Sequence, residues 1–226
     1  MNRLETKSGN SKIITQNSLS GINLTDSSSF DSCIRDYVSF FNDILNNSDK
    51  HHTGEITPAY AMLSTKTFLT ARRVLLEYDL IPRLIFIMRN PVDRIISHFR
   101  MMVEKNSLTH FSQVSFESAL LEFSLSSEAS SRTKYVETLD KLSNIFDSKE
   151  VYLGFYEEIF SPDKIKELSD FLGLELDQNF GTTIVHNSRQ EFEISTTVRE
   201  MIFERYIDVY SSINSLFPKT KKLWVV

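Results

Sequence analysis

A continuous apolar segment that ends abruptly in polar residues constrains the fold of this chain more than any other feature. Residues 83–88 read Arg-Leu-Ile-Phe-Ile-Met, without the alternation of polar and apolar side chains that a half-exposed strand shows. Arg89 and Asn90 follow, and Pro91 then occupies the favoured first position of a predicted helix that extends to about Lys105. A buried strand, a short turn and a helix in this order predict an α/β fold.

The rest of the sequence alternates helix and strand patterns. Residues 151–155, Val-Tyr-Leu-Gly-Phe, predict a second buried strand, and residues 12–15 predict a short one. Apolar residues at helical spacing predict further helices over residues 30–45, 64–77, 115–125, 132–146, 162–172 and 196–216. Gly173 is the expected C-cap of the helix that precedes it. The alternation predicts a parallel sheet flanked by helices.

Length and composition limit the class of protein. The 226 residues, 41% of them hydrophobic, suit a single domain with a polar N-terminal segment over residues 1–29 and a main body over residues 30–226. The net charge of −5 argues against a general nucleic-acid-binding protein, which would carry a basic excess. The sequence shows no signal peptide and no run of the ~20 apolar residues that a membrane span needs. Cys33 is the only cysteine, which favours a packed thiol in a reducing compartment, and we expect a cytoplasmic protein.

Arg89 stands where α/β proteins bind ligands. Ligands bind beyond the carboxyl ends of parallel strands, and Arg89 is the first residue past such an end. The planar guanidinium matches a phosphate group with two parallel hydrogen bonds. Ser97, eight residues later, is a candidate hydroxyl donor to the same anion. The alternative is that Arg89 pairs with Asp93 or Glu55 and that Ser97 is a small packing residue.

Several segments, in order along the chain, resemble one enzyme family. Residues 89–97, Arg-Asn-Pro-Val-Asp-Arg-Ile-Ile-Ser, resemble the 3′-phosphate-binding segment of sulfotransferases that use 3′-phosphoadenosine 5′-phosphosulfate. Residues 54–60, Gly-Glu-Ile-Thr-Pro-Ala-Tyr, are similar to a segment of the heparan-type and bacterial branches of that family. Residues 131–135 resemble the helix that follows the phosphate segment, and residues 151–159 its second strand and acidic turn.

The resemblance implies a fold, a reaction and a set of site residues. The fold would be the parallel α/β sheet related to P-loop nucleotide-binding enzymes. The donor 3′-phosphoadenosine 5′-phosphosulfate would give its sulfuryl group to a hydroxyl or amine acceptor, with carbohydrate as the acceptor class that the heparan-type branch suggests, and no metal ion would be needed. Arg89 and Ser97 would hold the 3′-phosphate, Tyr135 would belong to the nucleotide site, and Arg189 would reach the 3′-phosphate from a late loop.

The sequence departs from the family at the loop that cradles the 5′-phosphosulfate. That loop resembles Pro-Lys-x-Gly-Thr-Thr and lies between a strand and a helix, because its backbone N–H groups and the helix N-terminus bind the anion. The nearest string here is residues 7–11, Lys-Ser-Gly-Asn-Ser, with no apolar strand before it and no helical pattern after it. This context favours a polar tail over a working loop, and leaves Lys7 as the candidate for the loop lysine. The fold is therefore expected to be N-terminally incomplete relative to the family.

The catalytic base is a second departure. Family members commonly place a glutamate or histidine soon after the phosphate loop to take the proton of the acceptor. Residues 16–18 here read Gln-Asn-Ser, and an amide cannot act as a base. Glu55 is the candidate base, with pairing to a buried arginine or capping of the turn at residues 57–58 as the alternative.

Other residues carry weaker expectations. Arg132 and Lys134 are candidates to meet an anionic acceptor, with a solvated helix face as the alternative. His98 is interpreted as a helix-packing residue and Trp224 as an anchor of the C-terminal segment. Three functions stay open: an active sulfotransferase, a truncated one, and a non-catalytic relative that keeps the 3′-phosphate pocket. A small-molecule kinase is disfavoured because no Gly-x-x-x-x-Gly-Lys-Ser/Thr loop occurs in the sequence.

Overall fold

The computed structural model of the chain describes residues 27–105, 112–175 and 193–225. These residues group into two compact units. The described residues of Met1–Ile56 and Lys66–Ile81 form the first unit, and those of Thr57–Thr65 and Pro82–Val226 form the second. The predicted strand at residues 12–15, the string that contains Lys7 and the late loop that contains Arg189 lie outside the described residues.

The first unit is built on two helices, α1 (Ser27–Asn46) and α2 (Thr65–Glu77). Phe30, Ile34 and Val38 recur every four residues along α1, so they share one face and bury it together with Val74 of α2. Both helices confirm the expectation from the helical spacing of apolar residues.

Ion pairs with short distances join the same two helices. Arg73 Nη2 lies 2.5 Å from an oxygen of Asp31, and Arg73 Nη1 lies 2.8 Å from Glu77 Oε1. Arg35 Nη1 lies 2.7 Å from the second oxygen of Glu77. Each of these arginines therefore has a carboxylate partner inside its own unit.

The second unit contains the sheet. Strands β1 (Leu84–Met88) and β2 (Val151–Phe155) run parallel, with Met88 opposite Phe155. The pairing continues past the last register pair, because the backbone N–H of Tyr156 donates to the carbonyl of Met88 at 2.8 Å. Gly154 lies so close to Ile87 that a Cβ atom would meet its Cδ1 at 2.8 Å. The two strands predicted at residues 83–88 and 151–155 are confirmed, as is the α/β class with a parallel sheet.

Helices and short turns complete the second unit. Its elements are a 3₁₀ turn (Pro58–Met62), α3 (Pro91–Lys105), α4 (Gln113–Phe123), α5 (Ser127–Ser131), α6 (Tyr135–Ile145), a 3₁₀ turn (Ser148–Glu150), α7 (Pro162–Leu172), α8 (Thr196–Arg205), α9 (Ile207–Leu216) and α10 (Thr220–Leu223). Proline opens both α3 and α7, and Gly173 ends α7 with a left-handed φ of 66°, as its position in the sequence predicts. None of the helices in the described ranges is both long and apolar enough to cross a bilayer.

Two predicted helices differ from the structure. The helix expected over residues 132–146 runs only from Tyr135 to Ile145, because α5 ends at Ser131 and residues 132–134 form the turn between the two helices. In that turn the Thr133 hydroxyl donates to the carbonyl of Ser130 at 2.8 Å. The helix expected over residues 196–216 is broken at Tyr206, whose φ of −113° and ψ of 16° are not helical. The Tyr206 hydroxyl donates to the buried carbonyl of Ser124 at 2.7 Å, a tertiary contact that helical periodicity does not encode.

The core of the second unit lies between the sheet and the helices. Val92, Ile95, Ile96 and Phe99 form the buried stripe of α3, at the spacing that places residues on one helix face. They pack with Met88 and Phe155 from the carboxyl ends of the two strands, and with Tyr135, Ile202, Tyr210, Ile213 and Trp224 from later helices. This packing fixes the turn between β1 and α3.

Candidate anion-binding site

The turn between β1 and α3 is held by Asn90, which is 1% exposed. Its backbone N–H donates to Glu157 Oε1 at 2.7 Å. Its side-chain oxygen accepts the N–H of Val92 at 3.0 Å and the hydroxyl hydrogen of Tyr210, and its side-chain nitrogen donates to the carbonyl of Val225 at 3.1 Å. Every polar atom of the Asn90 side chain is thus used, and the side chain caps the first turn of α3.

The carboxylate of Glu157 links this turn to the C-terminal segment. Its Oε2 accepts the indole N–H of Trp224 at 3.0 Å, while its Oε1 accepts the N–H of Asn90. Trp224 is 4% exposed and packs against the rings of Phe155 and Tyr210. The interpretation of Trp224 as an anchor is confirmed. The positioning role of Glu157 was missed from the sequence, where only its place in an acidic turn was a signal.

Arg89 is half-buried and its guanidinium stacks on an aromatic ring. Its Cζ atom lies 4.4 Å from the ring centroid of Tyr156. The alternative that Arg89 pairs with Asp93 is wrong, because the Asp93 carboxylate lies 2.8 Å from Arg199 Nη2. Among the described residues, Arg89 makes no ion pair with a carboxylate. The ring of Tyr156 holds the guanidinium group in place, and its positive charge remains available to bind an anion.

Tyr135 supports the backbone of Arg89. The Tyr135 hydroxyl donates to the Arg89 carbonyl at 2.8 Å, and the side chain is 3% exposed. Burial raises the pKa of Tyr135 to about 12, so the hydroxyl keeps its proton and remains a donor at neutral pH. The structure gives Tyr135 a part in positioning Arg89, and its direct contact with a nucleotide stays a prediction.

Arg94 lies close enough to two other arginines, Arg89 and Arg132, to feel their charges. Arg94 Nη2 donates to the carbonyl of Ala129 at 2.5 Å, and the Nε atoms of Arg94 and Arg132 are buried without an acceptor. Burial lowers the pKa of Arg94, and the positive charges of Arg132 and Arg89 act in the same direction. We call Arg89, Arg94 and Arg132 the basic cluster; within the described ranges none of the three has a carboxylate partner. A partly buried cluster of cations without counter-charges suits an anion.

Ser97 and His98 lie on α3 beyond Arg94. Ser97 is exposed, so the alternative that it is a packing residue is wrong, and its spacing of three from Arg94 puts the two on neighbouring positions of one helix face. His98 is 7% exposed, packs edge-on against Phe123, and its Nε2 lies 3.3 Å from Glu128 Oε1. This placement agrees with a helix-packing role for His98. Burial lowers the pKa of His98, and the positive charges of Arg132 and Arg94 lower it further.

Glu55 belongs to the first unit and is exposed. Its carboxylate accepts a hydrogen bond from Tyr37, whose pKa is raised by burial and then by Glu55. The structure therefore gives Glu55 a hydroxyl partner, and its role as a base stays a prediction. The predicted roles of Lys7 and Arg189 fall outside the described residues. In the described ranges no group of three or more His, Cys, Asp or Glu side chains is arranged to hold a metal ion.

The chain matches the family model of the Sulfotransferase domain over residues 12–219. The match covers most of the chain, so the chain belongs to the sulfotransferase family. The parallel sheet with its flanking helices is consistent with the α/β fold of that family, as predicted. No curated protein and no solved structure matched the chain.

Proposed function

We propose that this protein is an active sulfotransferase that uses 3′-phosphoadenosine 5′-phosphosulfate as donor. The observation that carries the proposal is the basic cluster at the carboxyl end of β1, where Arg89, Arg94 and Arg132 have no carboxylate partner among the described residues. The 3′-phosphate of the donor supplies the negative charge that this cluster lacks. Family membership supplies the reaction class.

In this proposal the 3′-phosphate contacts Arg89 and Ser97, with Arg189 as a further cation. The guanidinium of Arg89 is oriented before binding, since Tyr156 stacks on it and Tyr135 holds its backbone carbonyl. A side chain already fixed in its binding geometry loses little conformational entropy when the ligand arrives. Positioning of this kind is a main source of catalysis in group transfer.

The transfer step itself is an in-line displacement at sulfur. The acceptor oxygen or nitrogen forms a bond to sulfur while the bond between sulfur and the bridging oxygen of the 5′-phosphate breaks. The acceptor loses its proton to a base, and adenosine 3′,5′-bisphosphate leaves. We propose Glu55 as the base and Lys7 as a cation at the leaving oxygen, with carbohydrate as the acceptor class and the cytoplasm as the location.

The first test is a pair of calorimetric titrations that differ by one group. Adenosine 3′,5′-bisphosphate and adenosine 5′-monophosphate differ only in the 3′-phosphate. We expect the bisphosphate to bind on the order of 10–100-fold more tightly, the size of one or two charge-assisted hydrogen bonds. Equal affinities would sink the 3′-phosphate site.

The second test is turnover. Labelled donor is incubated with a panel of hydroxyl and amine acceptors, carbohydrates included, and transfer to an acceptor is measured against Glu55→Gln and Lys7→Met variants. Tight binding of the bisphosphate with no transfer to any acceptor would instead favour the non-catalytic alternative, a protein that keeps only the nucleotide pocket.

A further inference from the structure

The residues Trp224 and Val225 lie against the turn between β1 and α3. The Val225 carbonyl accepts a hydrogen bond from the side-chain nitrogen of Asn90 at 3.1 Å. Trp224 is buried, and its indole N–H donates to Glu157 Oε2 at 3.0 Å. Both residues lie beyond residues 12–219, the segment that matches the family model, so family membership assigns them no role.

Two side chains that hold Asn90 also contact Trp224. Glu157 accepts the backbone N–H of Asn90 with one carboxylate oxygen and the indole N–H of Trp224 with the other. The Tyr210 hydroxyl donates to the side-chain oxygen of Asn90, and the Tyr210 ring packs edge-on against the indole with centroids 5.9 Å apart. The indole therefore fixes both partners in the orientation that Asn90 needs.

The side chain that holds the backbone of Arg89 contacts the same indole. Tyr135 donates its hydroxyl hydrogen to the Arg89 carbonyl at 2.8 Å, and its ring centroid lies 6.1 Å from that of Trp224. Phe155, at the end of β2, packs against the indole at 5.8 Å. Trp224 is thus the common neighbour of side chains that hold both residues of the turn.

The carboxylate of Glu157 is suited to joining two donors. Each of its oxygens accepts one N–H, at 2.7 Å from Asn90 and at 3.0 Å from Trp224. A glutamine side chain has the same shape but only one acceptor oxygen, because its other terminal atom carries two hydrogens. One of the two N–H groups would then face another N–H group.

We propose that Trp224 and Glu157 are positioning residues of the 3′-phosphate site. They fix the backbone of the turn, and through it the direction from which the guanidinium of Arg89 meets the phosphate. This inference rests on the proposed function, because it explains how the donor site of that enzyme keeps its binding geometry. The affinity that comes from the 3′-phosphate therefore depends on Trp224, whereas the affinity that comes from the rest of the nucleotide does not.

The test compares two nucleotides in three forms of the full chain. Adenosine 3′,5′-bisphosphate and adenosine 5′-monophosphate are titrated by calorimetry into wild type, Trp224→Phe and Glu157→Gln, and the ratio of the two affinities isolates the 3′-phosphate. Trp224→Phe keeps an aromatic ring and removes the indole N–H, while Glu157→Gln removes one acceptor. We expect each variant to lower the ratio about 3–10-fold, because the binding geometry is no longer fixed in advance. A ratio equal to that of wild type in both variants would overturn the proposal, even if both nucleotides bind more weakly.

Phe116→Leu is the control for a general loss of packing. Phe116 is a buried residue of α4 whose ring packs against Phe99 with centroids 5.1 Å apart. The substitution should lower the thermal midpoint and leave the affinity ratio as in wild type. A ratio that falls as far in Phe116→Leu as in Trp224→Phe would contradict a positioning role.

The double variant tests whether the two residues act together. Once Trp224→Phe has removed one donor, the single acceptor oxygen that Glu157→Gln leaves is enough for the N–H of Asn90. We expect the ratio in the double variant to be no lower than in Glu157→Gln alone. Two losses that multiply would mean that Trp224 does not act through Glu157.

A measurement on the wild-type chain does not depend on the folding of any variant. Trp224 is the only tryptophan, so its indole N–H gives one nuclear magnetic resonance signal whose hydrogen exchange can be followed. Coupling is reciprocal: if the docked position of Trp224 favours the 3′-phosphate, the 3′-phosphate favours that position by the same factor. With each nucleotide at the same multiple of its dissociation constant, we expect the bisphosphate to slow exchange about 3–10-fold more than the monophosphate. Equal exchange rates would contradict the proposal.

The wild-type titrations separate this inference from the proposed function. A wild-type ratio near one refutes the 3′-phosphate site and with it the proposed function. A wild-type ratio of about 10–100-fold that persists in Trp224→Phe and Glu157→Gln refutes this inference alone and leaves the proposed function standing.

Discussion

Two groups of arginines, one from each unit, have different environments. In the first unit, Arg35 and Arg73 lie 2.5–2.8 Å from carboxylates of Asp31 and Glu77. In the second, the basic cluster meets a tyrosine ring, a backbone carbonyl and buried space, and none of its members has a carboxylate partner in the part of the chain that the structure describes. Arg35 and Arg73 therefore serve local structure, whereas the three arginines of the basic cluster lack a counter-charge among the described residues.

Burial and pairing together determine whether the charge of an arginine is balanced within the protein or is available to a ligand. An exposed, paired arginine has its charge balanced locally, and such pairs contribute little to stability. A partly buried arginine without a counter-charge is costly in the free protein, and a bound anion removes that cost. The local sequence indicates only part of this: Glu77 stands four residues after Arg73 on the same helix, whereas Asp31 comes from α1.

The largest expected effect comes from adding a negative charge beside the basic cluster. Ser97→Asp should weaken adenosine 3′,5′-bisphosphate on the order of 100-fold, because like charges in contact cost several kcal/mol. Ser97 is exposed, so the fold should hold, as circular dichroism can check. Ser143→Asp, at an exposed serine on α6, is the control. Equal losses in both variants would show a general charge effect and would contradict the assignment of Ser97 to the anion-binding site.

The next effect concerns the turn that presents Arg89. Asn90→Ala removes one donor and one acceptor from a buried site and leaves the N–H of Val92 and the carbonyl of Val225 without that partner. We expect a loss of about 1–3 kcal/mol in the free energy of unfolding, measured in urea. Asn144→Ala is the matched control, since Asn144 makes an exposed hydrogen bond to the Asp140 carbonyl at 2.7 Å. A loss no larger than that of the control would mean that Asn90 does not hold the turn.

We expect the stability of the folded protein to depend on pH through His98. Burial lowers its pKa below the ordinary 6.5, with Arg132 and Arg94 adding to the shift. The unfolded chain therefore binds a proton before the folded chain does, so stability is fully present above pH 6.5 and falls as the pH drops through the folded pKa. His98→Gln should flatten this part of the thermal unfolding profile. Identical profiles for wild type and His98→Gln would contradict this explanation.

The smallest effect is expected in the first unit. Arg73→Met removes the contacts to Asp31 and Glu77, and should lower the thermal midpoint only slightly because the pairs are exposed. The difference from wild type should shrink further at about 1 M salt, where the screening length is about 3 Å. A large loss that persists in high salt would place these arginines in the same class as the basic cluster.

Local sequence determined much of the fold. The run at residues 83–88 and the proline that follows it predicted β1 and the start of α3, because burial and the fixed φ of proline act over a few residues. Gly173 predicted its helix end for the same reason. The break at Tyr206 was not predicted, because helical spacing continues through it and its tertiary contact, a hydrogen bond to Ser124, lies 82 residues away in the sequence.

The candidate site was predictable in part for the same physical reason. Arg89 and Ser97 could be identified because one directly follows a predicted strand and the other lies on the predicted helix after it. The partner of Asp93, by contrast, is Arg199, 106 residues away, and the carboxylate of Glu157 reaches Asn90 across 67 residues. Only the folded arrangement tells which charges are balanced, so the unpaired state of the basic cluster could not be read from spacing.

The most direct measurement compares one arginine from each environment. Adenosine 3′,5′-bisphosphate is titrated by calorimetry into the wild-type chain, Arg89→Ala and Arg73→Ala at one salt concentration. We expect Arg89→Ala to weaken binding about 10–100-fold, the size of a lost charge-assisted contact, and Arg73→Ala to bind as the wild type does. Unchanged affinity in Arg89→Ala, or equal losses in both variants, would contradict the assignment of Arg89 to the 3′-phosphate.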